Sequence, residues 1–148
     1  MSEHDVMGVT NTINDYLDAY NARNIEALGN VVVNNDNLVA FGTDEGEYWK
    51  GWTTFRNITE KLFGAIDEIH FERGKPVIHF SNDGNVAWFA EELHGNFVSA
   101  DEKHGCTFRL SGVSEKINNK WKIVQFHRSV AVKDHAVPYL ETHGVRFD

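Results

Sequence analysis

The stretch "KWKIVQFHRS", Lys120 to Ser129, alternates like a strand and ends with a histidine and an arginine side by side. Successive strand residues point to opposite faces, so one of His127 and Arg128 enters the interior and the other leaves it. "NVAWFAEELHGNF" sets the same choice between Glu91 and Glu92. A glutamate facing an arginine across a dry cavity is equipped for general acid or base work, and equally for a buried ion pair that merely orders the interior. "GTDEGEYW" crowds Asp44, Glu45 and Glu47 into a tight turn, where acids are usually solvated. Histidines 70, 79, 94, 104 and 127 lie on or near strands but lack compact ligand spacing, so neither a metal nor a cofactor is expected. Cys106 has no activating neighbour in sequence and reads as a small buried hydrophobe.

These groups must be held by elements that the pattern of apolar residues defines. Val6, Val9, Ile13, Tyr16, Leu17 and Tyr20 recur at steps of three and four, the signature of an amphipathic helix. "NIEALGNVV" follows as a second helix, with Asn24 able to cap it and Glu26 in its first turn. "NLVAFGT" and "EYWKG" form a small hairpin at about 37–50, and "TTFRNITEKLFGAI" returns to helical spacing, closing an α-rich part over about 3–66. From about 68 to 132 the period is two: "EIHFERGKPVIHF", "NVAWFAEELHGNFV", "CTFRLSGVSEKI" and "KWKIVQFHRSVAV" read as four long antiparallel strands, and a tail covers 133–148.

The expected fold is α+β, three helices packed on a strongly curved antiparallel sheet. Strands this long cannot lie flat, and Gly74 with Pro76, Gly95 and Gly112 supply bend or bulge points. A curled sheet covered by helices leaves a cone with an opening, a ready ligand site. The chain has 148 residues, 41% of them hydrophobic, which suits a single domain over 1–148. Its net charge of -8 argues against nucleic acid as a partner. One cysteine and the absence of a leader-like start make the cytoplasm the default, and no apolar run is long enough to span a membrane.

The order of elements, with "GTDEGEYWKG" after the second helix and "NKWKIVQFHRS" at the end, resembles the nuclear transport factor two-like superfamily, and more narrowly its SnoaL-like branch. The final strand is similar to that of the calcium/calmodulin-dependent protein kinase association domain. That resemblance implies that Arg128, Phe126 and Val124 face the cavity, while His127, Gln125, Ile123 and Trp121 lie on the convex face, through which relatives commonly dimerise. The turn at Asn118 and Asn119 leaves the choice open by itself, because two-residue and three-residue connections give opposite answers. Matching to the same relatives puts Trp88, Ala90, Glu92 and His94 inward, with His94 the best inward histidine.

Ketosteroid isomerases, a related family, keep an oxyanion-binding tyrosine where this chain has Tyr16, but their catalytic aspartate falls here on Ala40 or Phe41. Asp44 replaces the missing base if the hairpin folds over the opening. In the bland reading Tyr16 and Tyr20 are core residues with hydroxyls at the rim. Trp49, Trp52, Phe55, Phe63, Trp88, Phe108 and Phe126 either fill the cone or line it for a flat, partly apolar ligand bearing a carboxylate or an enolisable carbonyl. The resemblance thus implies a small-molecule pocket protein, an isomerase, dehydratase or cyclase working without a cofactor. Arg128 would anchor the ligand, Glu92 or Asp44 move the proton and Tyr16 polarise the carbonyl. A homodimer through the sheet is expected with this reading; the alternative is a non-catalytic association domain, for which a ring of many subunits is expected.

Overall fold

In the computed structural model, residues 2–131 and 143–144 are described, so most of the tail at 133–148 lies outside the described residues. The elements in chain order are α1 (Glu3–Asn21), α2 (Ile25–Val31), β1 (Val39–Phe41), β2 (Tyr48–Lys50), α3 (Trp52–Ala65), β3 (Glu68–Phe71), β4 (Val77–Phe80), β5 (Val86–Ser99), β6 (Glu102–Ile117) and β7 (Lys120–Val130). Ser2 caps α1 by accepting from the Asp5 N–H, and Asn24 caps α2 by accepting from the Ala27 N–H. Val9, Ile13, Tyr16, Leu17 and Tyr20 form the buried face of α1, and Phe55 with Thr59 that of α3.

The strands form one curved seven-stranded sheet in the order β2-β1-β7-β6-β5-β3, with β4 also paired to β5. The α+β cone is as expected, but the sheet is mixed, because β1 runs parallel to β7. The stretch read as one strand, "EIHFERGKPVIHF", divides into β3 and β4, which pair with β5 one after the other. Pro76 has no N–H to give a ladder, and the link at 72–76 interrupts the pairing while staying against β5, its Glu72 N–H donating to the His94 carbonyl and its Gly74 lying over Glu91.

Two local features set which residues face inward. Asn118 and Asn119 adopt φ of 52° and 63° between the paired Ile117 and Lys120, a two-residue turn that suits tight hairpins. Farther along, Val113 pairs with Gln125 and Ser114 with Ile123, so Val124 is the extra residue of a β-bulge. The bulge resets the alternation: Trp121 and Ile123 are buried before it, Phe126 is buried after it, and Arg128 shares its inner face. Trp121 and Ile123 therefore do not lie on the convex face as expected; Trp121 sits against Gly8 of α1, and its carbonyl accepts from the Thr12 hydroxyl. Gly112 makes the bulge possible, since a Cβ there would collide with the Gln125 carbonyl and the Phe89 ring.

Candidate functional site

A cavity of about 510 Å³ lies between the helices and the inner face of the sheet. Tyr20 of α1, Thr43, Asp44 and Glu47 of the β1–β2 hairpin, and Leu62 and Ile66 at the end of α3 form one side. Phe97 of β5, His104, Cys106 and Phe108 of β6, and Arg128 and Val130 of β7 form the other. Alternation puts His104, Cys106 and Phe108 on one face of β6, and the parallel register of β1 on β7 pairs Ala40 with Phe126 in the core and Phe41 with His127 outside.

Arg128 dominates the cavity floor. Its guanidinium carbon lies 4.8 Å from the centre of the Tyr20 ring and 5.7 Å from that of Phe126. Burial pulls its pKa down, but Tyr16, Tyr20 and Glu47 pull harder the other way, so the group stays charged with its pKa above the usual arginine value. Its Nε–H is buried without a partner, and Arg128 makes no ion pair among the described residues. The hydroxyls of Tyr16 and Tyr20 are likewise buried with no partner in hydrogen-bond geometry, their rings 5.0 Å apart. Burial raises both phenol pKa values, partly offset by Arg128, so both remain neutral donors. Arg128 and the two phenols act on one another, yet Arg128 Nε and both hydroxyls lack a partner in hydrogen-bond geometry among the described residues, which leaves donors there for an added acceptor.

The structure brings together only part of the expected constellation. Arg128, Asp44 and Phe108 line the cavity. Phe63 packs edge-on to Tyr20 at 5.6 Å, and Phe55 and Phe126 are fully buried 5.3 Å apart, forming the wall behind. Tyr16 is 1% exposed, so its hydroxyl is in the core and not at a rim. Trp52 is elsewhere, against Gly29 of α2.

Glu92, Trp88 and His94 face the opposite way from the expectation. The buried residues of β5 are Ala87, Phe89, Glu91, Leu93 and Gly95, so the alternate set lies on the outer face. Trp88 there approaches His79 at 6.1 Å, His94 lies 3.3 Å from the Thr107 hydroxyl, and Glu92 sits opposite Arg109. With the sheet between them, Glu92 cannot meet Arg128. A larger groove of about 800 Å³ opens on this outer face, lined by Arg109, Ser111, His127 and Ser129 among others. It lacks the covering helices and the cluster of orphaned donors that mark the inner cavity.

Glu91 is the buried acid of the pair, 7% exposed and without a partner for either oxygen. It sits beneath the 72–76 link, so close that a Cβ on Gly74 would fall 2.6 Å from Oε2, and burial pushes its carboxyl up to about 7. Sequence reasoning left Glu47, His104, Cys106 and Tyr20 out of the site. The run "SADEKHG" reads as a loop, whereas the chain turns tightly at Ala100 and Asp101, with φ of 51° and 64°, and β6 starts at Glu102. Among the described residues no group of three or more His, Cys, Asp or Glu could hold a metal ion, and no helix is long and apolar enough to cross a membrane.

A family model described as the SnoaL-like domain matches residues 9–133. A nuclear transport factor 2 (NTF2-like) superfamily protein from Salmonella enterica serovar Typhimurium is similar at 22% identity and TM-score 0.80, covering 90% of this chain and 96% of that one. A candidate scytalone dehydratase from Novosphingobium aromaticivorans is similar at 11% identity and TM-score 0.77, covering 86% and 85%. A candidate calcium/calmodulin dependent protein kinase II association domain from Xanthomonas campestris is similar at 16% identity and TM-score 0.71, covering 84% and 86%. At these identities the likeness is one of fold. No curated protein matches the chain.

Proposed function

The chain belongs to the SnoaL-like domain family, and from that premise we propose that its cone binds a small hydrophobic carbonyl or carboxylate compound and acts on it by acid–base chemistry, as an isomerase, dehydratase or cyclase. The observation that carries the reading is the placement of Arg128 and Tyr20 on a cavity walled by Phe97, Phe108, Leu62 and Ile66, with Tyr16 behind them in the core and no partner in hydrogen-bond geometry for Arg128 Nε or either hydroxyl. A ligand oxyanion supplies the missing acceptor, and the aromatic walls hold its apolar body. Donors fixed in a dry site stabilise negative charge that develops on a carbonyl oxygen, which is what enolisation or dehydration requires. Arg128 anchors the oxygen, the phenols polarise it, and a hairpin acid such as Asp44 serves the proton. The similar scytalone dehydratase candidate agrees in fold with this class of chemistry.

The test is a thermal-shift screen of wild type and Arg128→Ala against 2-naphthoate and 2-tetralone. A ligand at about a hundred times its Kd stabilises the native state by about 2.7 kcal/mol, a rise of several degrees in Tm. The rise is expected in wild type and lost in Arg128→Ala; equal rises in both would contradict the anchor.

The outer sheet face supports a homodimer, presenting Val39, Phe41, Tyr48, Val77 and Trp88 at 36–61% exposure from four strands. The second reading, a non-catalytic association domain, draws support from the similar chain named for that role. Solution mass separates the two, a plain dimer fitting the enzyme and a many-subunit ring the association domain.

A further inference from the structure

Resting on the reading of the cone as a ligand cavity, we propose that Glu47, rather than Asp44, is the carboxylate that moves a proton there, and that the substrate is an enolisable ketone spanning Glu47 and Arg128. Both acids line the cavity, but they are held differently. Asp44 is exposed at the tip of the hairpin, its Oδ1 accepting only from the neighbouring Thr43 hydroxyl at 3.3 Å. Glu47 is half-buried and fixed. Its Oε1 accepts from the Asp44 N–H at 2.7 Å, and the backbone closes around it through Glu47 N–H to the Asp44 carbonyl at 3.1 Å and Gly42 N–H to the Glu47 carbonyl at 2.8 Å. A Cβ on Gly42 would fall 2.7 Å from Oε1, so the carboxylate is seated where position 42 has no side chain. Oε2 makes no hydrogen bond among the described residues, which leaves one oxygen to take a proton.

Glu47 also faces the donors. Its charge acts on both Arg128 and Tyr20. Yet no ion pair closes between Glu47 and Arg128, whose charged atoms therefore stand more than 4.0 Å apart across the cavity. Both line the same cavity, and a ligand carbonyl held there has its oxygen toward the Arg128 and Tyr20 donors and its α-carbon toward Oε2. Glu47 then takes the α-proton: the C–H bond breaks, its electron pair forms the C=C bond, and the carbonyl π pair moves onto the oxygen, giving an enolate that the donors hold. Return of a proton from the Glu47 carboxyl to carbon restores the ketone, or its isomer when a second carbon accepts it. No co-reactant is needed.

The test follows α-hydrogen exchange of 2-tetralone in D2O by NMR, with the thermal shift caused by the same ketone as a separate readout of binding. Wild type is expected to accelerate exchange about a hundredfold over buffer. Glu47→Gln keeps an oxygen to accept the Asp44 N–H, so it should retain the thermal shift and lose the acceleration. Glu45→Gln, in the same turn but outside the cavity lining, should retain both. Exchange that survives Glu47→Gln, or that is lost only in Asp44→Asn, overturns the assignment to Glu47. A wild type that binds without accelerating exchange overturns the proton transfer while leaving the ligand cavity standing. No thermal shift in wild type refutes the ketone class and the cavity reading on which it rests.

Discussion

Glu91 makes stability depend on pH in a direction opposite to that of most carboxylates. Its carboxyl is buried beside Gly74 with neither oxygen bonded, and its pKa rises from 4.5 to about 7 through desolvation. The nearby Arg73 does not neutralise it, because that guanidinium donates to Asp18 at 2.7 Å. The native state therefore holds a proton that the unfolded chain releases between about pH 4.5 and 7, so the stability contributed by this group is full at acid pH and falls as pH rises through that window. The gap corresponds to about 3 kcal/mol, reduced to about 2 kcal/mol once water reaching the carboxyl is allowed for. Glu91→Gln removes the charge and keeps the shape. Urea unfolding of both proteins from pH 5 to 8, followed by tryptophan fluorescence, should give nearly equal stabilities at pH 5 and a variant more stable by about 2 kcal/mol at pH 8. Taking the difference between the two proteins cancels the histidines they share. Stability curves that run parallel across this range would refute the reasoning, since an accessible or paired Glu91 has no reason to separate them.

Further outcomes are expected at three positions. Gly112→Ala sets a methyl against the Gln125 carbonyl and Phe89, where backbone cannot yield, and should destabilise by about 2 kcal/mol or more in urea unfolding. Tyr16→Phe removes a buried hydroxyl that has no partner, so stability should hold or rise by about 1 kcal/mol while affinity for 2-naphthoate falls; unchanged affinity would take Tyr16 out of the donor cluster. Trp88→Asp puts a charge on the exposed outer face and should halve the mass seen by sedimentation without lowering Tm of the protomer, and an unchanged dimer would locate the interface elsewhere.

The helices are legible because their spacing and caps are local: Asn24 and the stripe from Val9 to Tyr20 stand out in the sequence, whereas Ser2 does not, and Val6 at the head of the stripe is exposed. The inward Arg128 is implied by resemblance, and what places it on the cavity is not announced by the residues themselves. Only the pairing across β6 and β7 reveals the bulge at Val124, and the same bulge buries Trp121 and Ile123. On β5 the opposite happened. Phe89 and Leu93 flank Glu91 at strand spacing, and that apolar alternation alone points Glu91 inward, whereas matching to relatives favoured Glu92. His104 and Cys106 were hidden by a turn built on Ala100 and Asp101, with no glycine to mark it. Glu47 and Asp44 differ only in how the hairpin folds back on Gly42, a tertiary detail beyond the reach of composition or period.

The ligand site is assigned to the inner cavity, with Arg128 in its lining, and not to the larger groove on the outer face. Titration of isotopically labelled protein with 2-naphthoate, observing backbone amides and the Arg128 Nε–H by NMR, tests it most directly. Perturbations centred on Arg128 Nε–H, Tyr20, Cys106 and Phe108 are predicted. Perturbations centred on Arg109, Ser111 and His127 would contradict it and move the site to the other side of the sheet.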